Sequence, residues 1–173
     1  MLSEFTTTKL DHTNGLTTDG KQLIMTDGSA VLYFLDPMTF NINKKVDILN
    51  FANDALGVCK SMGVATSEIG KALSELAPDI VVVLGDRYEI FCAASAALVL
   101  GIPIAHIHGG ELSAGAIDES FRHSITKMSH IHFTANKEYA KRVAQLGEDP
   151  KFIFNVGGMG IENIKRLKLL NKA

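Results

Sequence analysis

Residues able to do chemistry crowd into one short stretch. His106, His108, Glu111, Asp118, Glu119, Arg122 and His123 all fall within residues 106–123, and Gly109-Gly110 lies among them. Carboxylates and imidazoles at this density suit general acid–base work, in which one group removes a proton and another delivers one. A second candidate stands upstream, in Gly85-Asp86-Arg87-Tyr88-Glu89. Asp86 either faces a ligand crevice or merely caps the helix that follows.

The elements that must position these groups follow from hydrophobic patterning. Asn53 to Leu76 has helical spacing of Met62, Ile69, Leu73 and Leu76, ended by Ala77-Pro78. Asp79 to Leu84 is a continuous β-branched run, as in a strand buried on both faces. Helices are expected at Glu89 to Leu100, Asp118 to Met128, Lys137 to Leu146 and residues 161–170. Strands are expected at Ile102 to Ile107, His130 to Thr134 and Phe152 to Val156. Alternating strands and helices indicate an α/β fold with a parallel, Rossmann-like sheet. Ligands of such sheets bind beyond the carboxyl ends of the strands, where both chemical segments would lie.

Within the dense segment, strand alternation places His106 and His108 on one face. Gly109-Gly110 permits close backbone approach to a ligand. Asp118 with Arg122, and Glu119 with His123, share helix faces at i,i+4 spacing. Each has a plainer reading: the strand histidines as hydrogen-bonded core residues, the helix charges as a solvated face. His130, His132, Cys59 and Cys92 read as packing residues.

Residues 1–40 have a different character, rich in Thr, Asp and Gly. Gln22 to Met25 and Ala30 to Leu35 read as strands joined by a turn at Thr26-Asp27-Gly28-Ser29, giving an N-terminal β-hairpin segment. The expected division is therefore 1–40 and 41–173.

Composition excludes several classes. The chain has 173 residues, 46% apolar and 21% charged, which is globular. Seventeen basic and nineteen acidic residues give a net charge of −2, with no basic stripe for nucleic acid. Two cysteines rule out a disulfide scaffold. There is no apolar run of transmembrane length and no signal-peptide pattern at the start, so a cytoplasmic protein without membrane partners is expected.

Two resemblances add to this reading. Gly15-Leu16-Thr17-Thr18-Asp19-Gly20-Lys21, Ser29 and Leu32-Tyr33-Phe34-Leu35-Asp36-Pro37 resemble one blade of a glutaminyl cyclotransferase β-propeller. His12 and Asn14 stand where that family has an acidic residue and Trp, so no cyclotransferase chemistry is carried over. From about Asn41 onward the chain resembles the hydrolysing UDP-N-acetylglucosamine 2-epimerases of sialic-acid and nonulosonate pathways. The carrying motifs are Pro78-Asp79-Ile80-Val81-Val82-Val83-Leu84-Gly85-Asp86-Arg87-Tyr88-Glu89, Ile104-Ala105-His106-Ile107-His108-Gly109-Gly110-Glu111, Gly115-Ala116-Ile117-Asp118-Glu119 and Arg122-His123-Ser124-Ile125-Thr126-Lys127-Met128-Ser129-His130.

That resemblance implies two Rossmann-like domains in a GT-B arrangement, no metal and no redox cofactor. It implies removal of the sugar's carbon-2 proton with loss of UDP, then hydration of the glycal to N-acetylmannosamine. Asp86, Glu111 and Asp118 match positions for catalytic carboxylates. Arg87, His108, Gly109, Gly110, Glu119, Arg122 and His123 match positions for substrate binding. Some relatives carry Glu where this chain has His108, which leaves the roles of His108 and Glu111 open. The family's opening nucleotide-sugar turn is replaced here, and the family continues well beyond this length. The expectation is a partial epimerase domain with an open sheet edge that favours homo-oligomers. UDP-N-acetylglucosamine is the first expected substrate and a UDP-diacetamido sugar the second. The alternatives are a non-catalytic remnant that self-associates or binds a partner, and a metal-dependent hydrolase built on His106, His108 and Glu111.

Overall fold

The computed structural model describes residues 54–158 in full and, before them, the backbone of four short strands. Those strands are β1 (Gly15–Thr18), β2 (Leu23–Thr26), β3 (Val31–Leu35) and β4 (Ile42–Asp47). They pair antiparallel in the order β1-β2-β3-β4, with a register shift at Phe34/Leu35. The expected hairpin corresponds to β2 and β3, while β1 and β4 escaped the sequence reading. Residues 27–29 of its turn, and the helix expected at 161–170, lie outside the described residues.

The second sheet is parallel, in the order β5-β6-β7-β8: β5 (Val81–Leu84), β6 (Ile104–Ile107), β7 (Ile131–Thr134) and β8 (Ile153–Asn155). Helices α1 (Ala55–Leu76), α2 (Tyr88–Val99), α3 (Asp118–Met128) and α4 (Lys137–Gln145) alternate with these strands. A 3-10 turn at Pro150–Phe152 leads into β8. The α/β reading therefore holds, and every helix and strand expected between residues 53 and 156 is present. The edge of β5 is not bare, because β1 runs beside it.

Local chemistry sets the boundaries. Asp54 caps α1, its Oδ1 accepting from Gly57 N at 2.7 Å. Ala77 takes a left-handed conformation (φ 45°) and Pro78 stops further helix. Asn136 caps α4 by accepting from Tyr139 N at 2.9 Å.

The core joins Ala65, Ile69, Ala72 and Leu73 of α1 to Val81, Val83 and Ile104 of the sheet. Ile90, Cys92, Ala94 and Ala97 of α2 and Ile125 of α3 complete it. The small residues of α2 let it pack closely between α1 and α3. Two expectations need correction. Val81 and Val83 are buried but Val82 and Leu84 are only half-buried, so β5 alternates instead of being covered on both faces. Cys59 is exposed on α1, and only Cys92 is a core residue.

Candidate active site

The loops after β5 and β6 meet the first turns of α3 at the carboxyl end of the parallel sheet. Asp86 follows β5 after Gly85. It does not cap α2, whose N-cap position is Arg87 and carries no side-chain capping bond. Instead Asp86 Oδ2 accepts from Arg122 Nη2 of α3 and from the Ser113 hydroxyl at 3.2 Å.

Arg122 is the organising group. Its side chain is only 7% exposed, and it donates to Ser113 Oγ at 3.0 Å and to the His108 carbonyl at 2.9 Å. Glu111 Oε2 lies 3.9 Å from Arg122 Nη1. A single guanidinium thus ties the loop after β5, the loop after β6 and α3 together, as its planar fork of donors allows. The i,i+4 geometry of Asp118 and Arg122 is present, yet Arg122 pairs with Asp86. Asp118 makes no hydrogen bond or ion pair among the described residues, although its charge acts on Arg87.

The expectation that His106 and His108 share a strand face fails. Strand β6 ends at Ile107, and His108 turns into the left-handed region at φ 67°. Few non-glycine residues sit there, and this one is held at both ends. His108 N donates to Phe133 O at 2.9 Å, and Arg122 holds its carbonyl. Its imidazole Nδ1 meets Glu111 Oε1 at 2.5 Å.

His106 is instead a core residue, registered between Val83 of β5 and His132 of β7. Its Nε2–H donates to Gly85 O at 2.8 Å, and Nδ1 faces Thr126 Oγ1 at 3.2 Å. Burial drives its pKa down to about 4, so the ring is neutral at ordinary pH. His106 and His108 therefore diverge, and no cluster suited to a metal ion forms among the described residues.

Glu119 and His123 form the expected pair, with His123 Nε2 3.2 Å from Glu119 Oε1. Ser113 N donates to Glu119 Oε2 at 2.6 Å, and this backbone bond, ahead of the His123 charge, holds the Glu119 carboxyl below its usual range. Arg87 folds onto Glu89 in a bidentate pair at 3.0 and 3.2 Å, and that hydrogen bond raises its pKa. Gly109 and Gly110 give their space to protein. A Cβ at Gly109 would lie 3.1 Å from His106 Nδ1; one at Gly110 (φ 77°) would collide with Tyr139 O and Val143. Arg142 of α4 donates to Gly110 O and fixes the turn from behind.

Sequence reasoning missed Ser113, which links Asp86, Arg122 and Glu119. It also missed Arg142 and Thr126. A serine in a loop carries no periodicity, and only the fold shows that residues 86, 113 and 122 converge.

The resemblance to known proteins is extensive. Residues 22–173 match the family model described as UDP-N-acetylglucosamine 2-epimerase. A Campylobacter jejuni protein named GDP/UDP-N,N'-diacetylbacillosamine 2-epimerase (hydrolyzing) is 50% identical over 133 residues, covering 77% of this chain and 35% of that protein. An Escherichia coli polysialic acid biosynthesis protein is 47% identical over 141 residues, covering 82% of this chain and 36% of that one. The solved UDP-GlcNAc 2-epimerase of Methanocaldococcus jannaschii superposes with a TM-score of 0.62 at 26% identity, over 68% of this chain and 32% of its own. The chain thus spans about a third of the length of these relatives.

Proposed function

Since the chain belongs to the UDP-N-acetylglucosamine 2-epimerase family, we propose that it carries the acid–base half of a hydrolysing UDP-sugar 2-epimerase. In this reading the sugar's carbon-2 proton is removed as UDP leaves, and water then adds across the glycal double bond. Asp86, Glu111 and Asp118 supply the carboxylates, and Arg87, His108, Glu119, Arg122 and His123 border the substrate. Gly109 and Gly110 shape the turn that presents them.

The observation that carries this reading is that Arg122 of α3 holds Asp86 and lies beside Glu111, while Asp118 opens the same helix. Arg122 and Ser113 engage Asp86, and Asp118 stands at the start of α3 with no hydrogen-bond or ion-pair partner among the described residues. Two carboxylates in such different surroundings suit two different roles.

UDP-N-acetylglucosamine is the substrate we favour, and a UDP-diacetamido sugar is second, supported by the name of the Campylobacter jejuni relative. Two free thiols, Cys59 and Cys92, fit a reducing cytoplasm. We take residues 1–40 as a segment distinct from 41–173. The antiparallel pairing of β1–β4 beside a parallel sheet supports this, as does their blade-like order; the family match beginning at residue 22 and the extension of β4 to Asp47 weigh against it.

The test is incubation of the purified chain with UDP-N-acetylglucosamine in heavy water, followed by NMR. UDP release with deuterium at carbon 2 of an N-acetylmannosamine product supports the reading; absence of turnover refutes it for this chain. A second reading, a self-associating remnant, is favoured by the chain's length relative to its relatives and by exposed Leu98, Val99 and Leu100 at the end of α2. A folded oligomer without affinity for uridine nucleotides would support it.

A further inference from the structure

We propose that His108 is the proton acceptor of this site and that the Glu111 carboxylate is its positioning residue. The inference rests on the epimerase reading and assigns roles within it.

Free lone pairs distinguish the groups of this site. Asp86 accepts from Arg122 and Ser113, and Glu119 accepts from Ser113 N beside the His123 ring. Glu111 is engaged by His108 and lies near Arg122. Each of these carboxylates is already engaged by protein groups. His123 has a free Nδ1, but that atom is buried. Two groups remain with a reactive atom that no protein donor engages among the described residues: the Asp118 carboxylate and His108 Nε2.

The carboxylate of Glu111 is an acceptor, so the His108 nitrogen facing it at 2.5 Å carries the hydrogen. The neutral ring therefore has its lone pair on Nε2. The His108 side chain is 22% exposed, enough to meet a ligand. Its backbone is clamped by Phe133 O and Arg122 in a left-handed conformation, which fixes where the ring begins. The charges facing the ring are Glu111 from its own loop and Arg122 from α3, with His106 behind it on β6. This is the arrangement by which a carboxylate selects a tautomer and supports the imidazolium once formed.

In the elimination, the bond between carbon 2 and hydrogen breaks and its proton passes to Nε2 of neutral His108. The electron pair left behind forms the double bond between carbons 1 and 2. The bond from carbon 1 to the diphosphate oxygen breaks, and UDP leaves with that pair. The imidazolium is balanced by Glu111 and later returns its proton to solvent.

Two measurements on the full chain test the assignment. Long-range nitrogen–proton NMR spectra without substrate read the His108 tautomer. The expected result is hydrogen on Nδ1 in the wild type and a mixed population in Glu111→Gln. Turnover of UDP-N-acetylglucosamine across pH reads the catalytic use. We expect His108→Gln to lower kcat about a hundredfold or more with KM within about threefold. Glu111→Gln should lower kcat about tenfold with KM within about threefold, because the carboxylate that fixes the ring's tautomer and orientation is gone.

Hydrogen on Nε2 in the wild type overturns the proposal. So does kcat of His108→Gln within about threefold of wild type, and in that case the epimerase reading survives. Absence of wild-type turnover defeats the epimerase reading and the catalytic role with it, and the tautomer spectrum then identifies the lost step as catalysis and not the pairing.

Discussion

Acid should unfold this protein partly through His106. The ring is buried, neutral and hydrogen-bonded, with a pKa of about 4 in place of 6.5. The unfolded chain holds the proton more tightly than the folded one does. Stability from this group is therefore fully present above the unfolded pKa and is lost as pH falls from about 6.5 to about 4. The full span corresponds to about 3 kcal/mol, and between about pH 7.5 and about pH 5 the loss is about 2 kcal/mol. That is a large share of the stability of an ordinary domain. Burial also lowers the pKa of His132, so its contribution has the same sign.

The comparison to make is wild type against His106→Gln. The glutamine amide can still donate to Gly85 O, but it does not titrate. Urea unfolding followed by circular dichroism at several pH values gives the midpoint for each. Wild type should lose about 1 M more of urea midpoint than the variant over that interval, since urea slopes are about 1–3 kcal/mol per molar. Carboxylates such as Glu119 titrate in both proteins and cancel in the difference. Equal losses in the two would refute the assignment of a neutral, buried His106.

Further outcomes follow from the same contacts. Asp86→Asn and Asp118→Asn should each abolish UDP release, and wild-type rates in both would remove these carboxylates from the reaction. Arg122→Met should destabilise the domain by about 3 kcal/mol, because Asp86 and the His108 carbonyl lose their shared donor, and thermal denaturation would show it. Gly110→Ala should cost about 2 kcal/mol or more from its positive φ and the collision with Tyr139 O, whereas Gly63→Ala, with open space inside α1, should gain about 0.5–1 kcal/mol; urea midpoints separate the two.

What was legible in the sequence was what depends on period and punctuation. The Val-rich run gave β5, the spacing of Met62, Ile69 and Leu73 gave α1, and α3 was bounded at both ends as found. The chemical segments were legible because unusual residue types cluster there. Their partners were not, because pairing across residues 86, 113 and 122 is a property of the sheet. The i,i+4 rule correctly joined Glu119 to His123, yet it could not say that Arg122 would turn from Asp118 to Asp86. Strand alternation failed at His108 for a local reason: β6 stops one residue earlier, and a left-handed residue follows.

That failure bears on the chemistry. Had β6 continued through residue 108, the side chain there would have followed His106 into the core beside Thr126. The left-handed turn at His108 instead breaks the alternation after one buried histidine and sends the next toward Glu111. Gly109 then packs against His106, and Gly110 against α4, where no Cβ would fit. The two glycines are thus what lets a strand of the core become, within one residue, the wall of a site. Arg122 closes the arrangement by holding the carbonyl of the left-handed residue with one nitrogen and Asp86 with the other. The same side chain therefore supports both the backbone strain and the charge of the site, which is why its removal should damage stability and acid–base chemistry together.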